Sequence, residues 1–244
     1  MKVGVPKERL PQELRVAISP DTVKKMITLG CSVIIESGAG EGSSFSDDAF
    51  KNSGAEIVTD IAQVLGRADI VLKVRPPIIE TDFDEVSLLK SGTILISNLD
   101  AIANRPIIDV LAKSGITAFA LELLPRITRA QSMDILSSQS NLAGYKAIID
   151  AAGELGRAFP MMMTAAGTIP PAKVFVMGVG VAGLQAIATA KRMGAVVTAT
   201  DVRPATREQV ESLGARFLEV DATMERDAQT KNGYAKEMPL EYLQ

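Results

Sequence analysis

The residues of this chain best suited to chemistry form one run, Gly178-Val179-Gly180-Val181-Ala182-Gly183, with an acidic residue, Asp201, 23 positions after the first glycine. A G-x-G-x-x-G run alone is a weak signal, because glycines gather at many turns. Here it follows an apolar stretch with strand character (173–177) and opens a stretch with helical spacing (181–193). A second strand-like stretch (195–200) then ends at Asp201. A nucleotide-binding βαβ unit needs these residue types at these places. Gly178 permits a tight turn, Gly180 lets the main chain approach a pyrophosphate, and Gly183 lets the helix lie close to the sheet. The helix start at Val181 and Ala182 offers N–H groups and a partial positive charge to the phosphates. Asp201 accepts hydrogen bonds from a ribose 2′-hydroxyl and repels a 2′-phosphate, which favours NAD over NADP, although Arg203 beside it softens that choice. The bland alternative is a glycine-rich turn that holds no ligand, and the four context elements together weigh against it.

Composition removes much other chemistry. The 244 residues include no histidine, which excludes most catalytic triads, His-ligated metal sites and imidazole acid–base catalysis. The single cysteine, Cys31, forbids a disulfide within the chain or a cysteine cluster for zinc, and reads as a small buried hydrophobe opening a strand. A formal net charge of −3 argues against nucleic acid as a partner, since phosphate neutralisation needs a basic surplus. The chain opens with Met1-Lys2-Val3-Gly4-Val5-Pro6 and then charges, without the apolar stretch of a targeting signal. Between Lys173 and Lys191 lie seventeen uncharged residues, close to a membrane span in length, but the three glycines give them the better explanation above. The chain reads as soluble.

The elements that must position the glycine run alternate. Strands are expected at 2–6, 32–36, 56–58, 70–74, 93–97 and 117–121. Helices are expected from Ser19-Pro20-Asp21, near 47–52, at 61–65, near 84–90, and from Asn104 and Pro106 through Lys113. Continuous apolar strands alternating with helices indicate a parallel sheet covered on both faces. Residues 132–159 lack proline and carry helical apolar spacing, enough for a helix of about 40 Å. Residues 161–163, a methionine triplet read as core filler, and 167–171 look like a junction. The second α/β unit then runs through strand 173–177, helix 181–193, strand 195–200, helix 205–213 and strand 215–220. The fold class is therefore α/β, two Rossmann-like doubly wound parallel-sheet domains joined by a long helix, the second truncated. The expected boundaries are 1–131 for the N-terminal domain, 132–160 for the connecting helix and 161–244 for an incomplete NAD-binding domain.

Longer motifs carry a family resemblance. Val5-Pro6-Lys7-Glu8-Arg9, Arg15-Val16-Ala17-Ile18-Ser19-Pro20, the run from Pro125 to Asp134, Ser137-Ser138-Gln139-Ser140-Asn141-Leu142-Ala143-Gly144-Tyr145, residues 161–171 and Gly233-Tyr234-Ala235-Lys236-Glu237-Met238 together resemble the NAD(H)-binding first domain of proton-translocating nicotinamide nucleotide transhydrogenase. The resemblance implies a domain that holds NADH while hydride passes to NADP⁺ on an NADP(H)-binding partner, coupled to proton movement by an integral-membrane subunit. It implies a homodimer, peripheral to the cytoplasmic or matrix face of the inner membrane through its protein partners. No acid–base residue is needed for such a transfer; apposition and orientation supply the rate. The family's nucleotide contacts fall here on Arg126, Arg129, Gln131, Asp134 and Ser137, on Gly178, Gly180, Val181, Ala182 and Gly183, on Asp201, Val202 and Arg203, and on Tyr234 in a loop that folds over bound nucleotide. From spacing alone, Gln131 and Asp134 can equally cap the long helix, with Thr128 and Gln131 as a capping box; the resemblance favours nucleotide contact.

Alanine dehydrogenase shares the N-terminal motif and is the nearest competitor. Arg15 and Lys73 stand where that family keeps its substrate-binding arginine and lysine, but its catalytic histidine falls in Ser97-Asn98-Leu99, and Asn98 cannot move a proton at neutral pH. Arg15 and Lys73 read better as ion-pair or anion-cleft residues. The early end of the second α/β unit suggests a shortened or split chain, so a nucleotide-binding fragment without turnover of its own is the third reading.

Overall fold

The computed structural model describes residues 1–125, 127–221, 228, 230 and 235–239, and the chain divides into two units, Met1–Asp134 and Ile135–Gln244. In the first, β1 (Lys2–Val5), α1 (Pro20–Thr28), β2 (Ser32–Glu36), α2 (Asp47–Asn52), β3 (Glu56–Val58), α3 (Ile61–Arg67), β4 (Ile70–Leu72), β5 (Ile94–Ser97), α4 (Arg105–Lys113) and β6 (Thr117–Ala120) follow one another. All six strands pair in parallel, in the order β3-β2-β1-β4-β5-β6. The order reverses between β1 and β4, the doubly wound arrangement. Val3 and Val5 of β1 and Val33 and Ile35 of β2 share a buried core with Val23 of α1 and Phe50 of α2. On the other face Gly4 lies against Val64 and Ala68, so close that a Cβ there would fall 2.8 Å from the Ala68 side chain. Leu65, Val71, Leu95, Ile107 and Leu111 fill a further core.

Local signals explain the element starts. Ser19 caps α1 by accepting from the Thr22 N–H at 3.3 Å, with Pro20 in the first turn. Asn104 stands at the cap of α4, but its side chain makes no capping bond. The helix expected near 84–90 is a single 3₁₀ turn, Val86–Leu88. Asp84 accepts from the N–H groups of Val86 and Ser87, a local turn that competes with a longer helix.

The second unit comprises α5 (Ile135–Glu154), a two-stranded antiparallel hairpin of β7 (Met162–Thr164) and β8 (Gly167–Ile169), then β9 (Lys173–Met177), α6 (Val181–Arg192), β10 (Val196–Thr200), α7 (Thr206–Ser212) and β11 (Arg216–Phe217). The helix α5 is shorter at both ends than residues 132–159. Residues Thr128–Met133 form a separate 3₁₀ helix, which Asp134 ends with an extended ψ of 90°. Beyond Glu154, Gly156 and Pro160 disfavour continuation. The last strand is likewise short, two residues in place of 215–220.

β11, β10 and β9 pair in parallel in that order. One face of this sheet is closed: Val197 and Ala199 of β10 are buried with Ala186, Ile187 and Ala190 of α6, Val210 of α7 and Ile148 of α5. The other face carries Phe175, Met177 and Val196, which are 52%, 79% and 52% exposed. The uncharged residues 174–190 are thus strand, turn and helix, and among the described residues no helix is long and apolar enough to cross a membrane.

Candidate functional site

The glycine run sits where β9 ends and α6 begins. Gly178 has φ +88°, a conformation that favours glycine, and its N–H donates to the Thr200 carbonyl of β10 at 2.9 Å. A Cβ on Gly183 would fall 1.9 Å from the Gly178 carbonyl oxygen, so only glycine lets the helix return this close to the turn. Gly180 is the N-cap of α6 and supplies no side chain to cap it; a Cβ there would meet nothing within 4 Å. The first turn of α6, at Val181 and Ala182, therefore begins beside open space, with the amide groups of a helix N-terminus at its edge.

Asp201 closes the arrangement from the end of β10. Its Oδ2 accepts from the Val179 N–H at 2.7 Å, a bond that ties the acid to the middle of the glycine turn. Oδ1 accepts from the Arg203 N–H and Nε, both at 2.8 Å, and Oδ2 also accepts from Arg203 Nη2 at 2.8 Å. Burial works to raise the carboxyl pKa, but the Arg203 side chain, the Val179 N–H and the Arg203 N–H together outweigh it and hold it below the usual aspartate value. Arg203 is held above its usual value by the same carboxylate. Next to Asp201, the buried Thr200 hydroxyl has no partner among the described residues. A buried hydroxyl without a bond is costly, and one beside an open helix end suits a polar ligand. Open glycine, helix amides, carboxylate and hydroxyl all fit the adenosine-diphosphate half of a dinucleotide.

The helix α5 supports this corner from behind. A Cβ on Gly144 would fall 2.0 Å from the Ala182 carbonyl oxygen, and Asn141 Nδ2 donates to Gln185 Oε1 at 3.0 Å. Two α5 residues thus seat the first turns of α6.

The sequence-predicted residues divide between the units. Gly178, Gly180, Val181, Ala182, Gly183, Asp201, Val202 and Arg203 come together around the ends of β9 and β10, and Ser137 lies in the first turn of α5. Arg129 and Gln131 lie on the Thr128–Met133 3₁₀ helix of the first unit, and Asp134 follows it, its N–H donating to the Gln131 carbonyl at 3.2 Å. The capping-box alternative fails here, because Ile127 occupies the N-cap of that 3₁₀ helix without a side-chain bond. Arg126 and Tyr234 lie outside the described residues. The sequence reading missed Val179, whose contribution is a main-chain N–H that any residue type supplies. It also missed Thr200, for which adjacency to Asp201 was the available signal, and Gly144.

At the end of the first sheet, Lys73 is buried between two carboxylates, 3.1 Å from Glu85 Oε1 and 3.4 Å from Glu8 Oε2. Glu8 also accepts from the Val74 N–H at 2.6 Å, and Glu85 from the Ile78 N–H at 2.8 Å. Burial pushes the Glu8 carboxyl above its usual value in spite of Lys73 and the Val74 and Arg75 N–H groups. Arg15 binds Glu13, with Nε 2.7 Å from Oε1. Both cations are engaged in ion pairs within the chain, as expected of structural residues. Among the described residues no acidic or cysteine cluster could hold a metal ion.

A glycine turn bonded to an acid at the carboxyl ends of parallel strands, on two α/β units, defines a Rossmann-like protein of the dinucleotide-binding type. The chain belongs to the alanine dehydrogenase/PNT family: the family's N-terminal domain matches residues 4–143 and its C-terminal domain residues 147–238. It is 62% identical over 243 residues to the first of the proteins that make up the NAD(P) transhydrogenase subunit alpha of Rhodospirillum rubrum, a match covering 99% of this chain and 63% of that protein. The crystal structure of transhydrogenase from Sinorhizobium meliloti superposes with a TM-score of 0.87 at 54% identity, covering 93% of this chain and 64% of that one. An L-alanine dehydrogenase structure superposes with a TM-score of 0.78 at 28% identity, covering 91% and 62%. The chain spans just under two thirds of the length of these relatives.

Proposed function

We propose that this chain is the NAD(H)-binding component of a proton-translocating NAD(P) transhydrogenase. The reading is carried by the coupling of the glycine turn to Asp201 through the Val179 N–H, in a chain 62% identical to a protein of that name. Bound NADH supplies the hydride, which passes directly to NADP⁺ on a partner domain. The residues of this chain bind and orient: the α6 amides at Val181 and Ala182 take the pyrophosphate, and Asp201 takes the adenosine ribose. Arg126, Arg129, Gln131, Asp134, Ser137, Val202, Arg203 and Tyr234 are further nucleotide contacts on the strength of the family resemblance. A direct hydride transfer needs no proton acceptor, which suits a chain with no histidine.

The partners are an NADP(H)-binding subunit and an integral-membrane subunit that couples transfer to proton movement, with this chain peripheral to the cytoplasmic or matrix face. A homodimer belongs to the same reading. Supporting it, residues 161–169 are exposed throughout, including Met161, Met162, Met163 and Ile169, and no charged residue lies between Arg157 and Lys173. A two-stranded hairpin of this kind is marginal unless something packs on it, and sedimentation velocity tests for the second copy.

Steady oxidation of NADH by an NADP⁺ analogue, dependent on added NADP(H)-binding partner, is the expected result. Silence with the partner present would reduce the chain to a nucleotide-binding fragment. Oxidation of L-alanine with NAD⁺ by the chain alone would overturn the reading in favour of an amino-acid dehydrogenase. Asn98 in the histidine's place and the closed Glu8–Lys73–Glu85 cluster weigh against that outcome.

A further inference from the structure

The carboxylate assigned to the ribose already has its acceptor positions filled. Asp201 receives four bonds: the Val179 and Arg203 N–H groups, and Nε and Nη2 of the Arg203 side chain. A carboxylate offers about four such positions, so a ribose hydroxyl can reach it only if a donor leaves. The two main-chain donors are fixed by the glycine turn and by the residues after β10. The Arg203 side chain is the movable one, and it lies on the solvent side, 18% exposed against 5% for the Asp201 side chain.

We propose that the Arg203 guanidinium is an internal occupant of the ribose position, displaced from Asp201 when nucleotide binds. This rests on the nucleotide reading of the site. The guanidinium mimics the ribose diol by presenting two donors side by side to one carboxylate. Its displacement sets a competition that lowers nucleotide affinity, and it leaves a cation at the rim where a 2′-phosphate would project. Asp201 excludes that phosphate, and it also keeps Arg203 from attracting it. Arg203 is therefore a specificity residue of two signs. It competes with NADH while Asp201 is present, and it recruits a 2′-phosphate once the aspartate charge is gone.

The test is calorimetric titration of the 244-residue chain with NADH, NADPH, ADP and adenosine 2′,5′-bisphosphate, using wild type, R203Q, R203K, D201N and the D201N/R203Q double variant. The adenosine probes report on the ribose position without the nicotinamide half. R203Q is expected to bind NADH and ADP about tenfold more tightly than wild type, because a charge-assisted fork no longer competes. R203K, with a single ammonium in place of the fork, falls between. D201N is expected to gain bisphosphate binding, and the double variant to lose that gain, a non-additivity that general loss of structure would not produce. Equal or weaker NADH binding by R203Q overturns the internal-occupant role, as does a bisphosphate gain that survives in the double variant. If wild type and every variant bind none of the four probes, the nucleotide reading of the site fails and the inference with it.

Discussion

Lys73, Glu8 and Glu85 have side chains no more than 3% exposed, so their charges stand or fall together. Removing the cation from such a group leaves buried carboxylates without compensation and costs about 3–5 kcal/mol. K73M is accordingly expected to lower stability in urea denaturation at pH 7 by that order, with a smaller loss near pH 5, where Glu8 can take up a proton. The Glu8 pKa is raised in the folded state, so the folded chain binds its proton more tightly than the unfolded one, and this contribution to stability declines as pH rises through the raised value. Asp201 has the opposite sign. Its folded pKa is lowered, so its contribution is full above the ordinary aspartate value of about 4 and is lost as pH falls through the folded one. D201N should therefore flatten the acid limb of the stability curve below about pH 4, and wild-type affinity for NADH should be flat between about pH 5 and 8 as far as Asp201 is concerned. Residues 8, 73 and 85 are far apart in the chain and meet because β1 and β4 are neighbours in the sheet. No local pattern announces that meeting, whereas Gly178 and Asp201 sit at a spacing that a βαβ unit dictates.

At the scale of elements, α5 and α6 fit because neither has a side chain between Gly144 and Ala182. A methyl group placed 2.0 Å from the Ala182 carbonyl oxygen must push one helix away. G144A is expected to lose about 1–3 kcal/mol of stability by overpacking and, because Ala182 lies in the phosphate-facing turn, to weaken NADH binding as well. Urea denaturation and nucleotide fluorescence measure the two effects separately. An unchanged variant in both would show that α5 does not seat the turn. The periodicity of the sequence located both helices, and the β9 and β2 boundaries agree residue for residue with the apolar runs. It overran α5, because residues 128–133 and 155–159 carry helix-compatible types while Asp134 and Pro160 decide the ends. The Gly144 contact was hidden for a different reason: a glycine inside a helix looks like a weakness until its partner is known. The 3₁₀ turn at Val86–Leu88 was overestimated because Asp84 bonds its own neighbours.

For the molecule as a whole, the two sheets differ in how they are covered. The first has helices against both faces, whereas the second leaves Phe175, Met177 and Val196 exposed on one face, and β9 has a strand neighbour on one side only among the described residues. An apolar sheet face beside an open edge invites association. The 244-residue chain by itself is expected to bind a hydrophobic dye and to scatter light at micromolar concentration, and F175K to reduce both without lowering the unfolding midpoint. Undiminished scattering by F175K would place the sticky surface elsewhere. The first sheet has a further consequence, in time. Every strand of it lies between Lys2 and Ala120, while β11 of the second sheet ends at Phe217, 97 residues after Ala120. At synthesis rates of roughly 5–20 residues per second, the first sheet leaves the ribosome complete roughly 5–20 s before the second has its last described strand. The half of the molecule that folds first is the half without the glycine turn, and the nascent chain carries a finished domain long before it can hold a nucleotide.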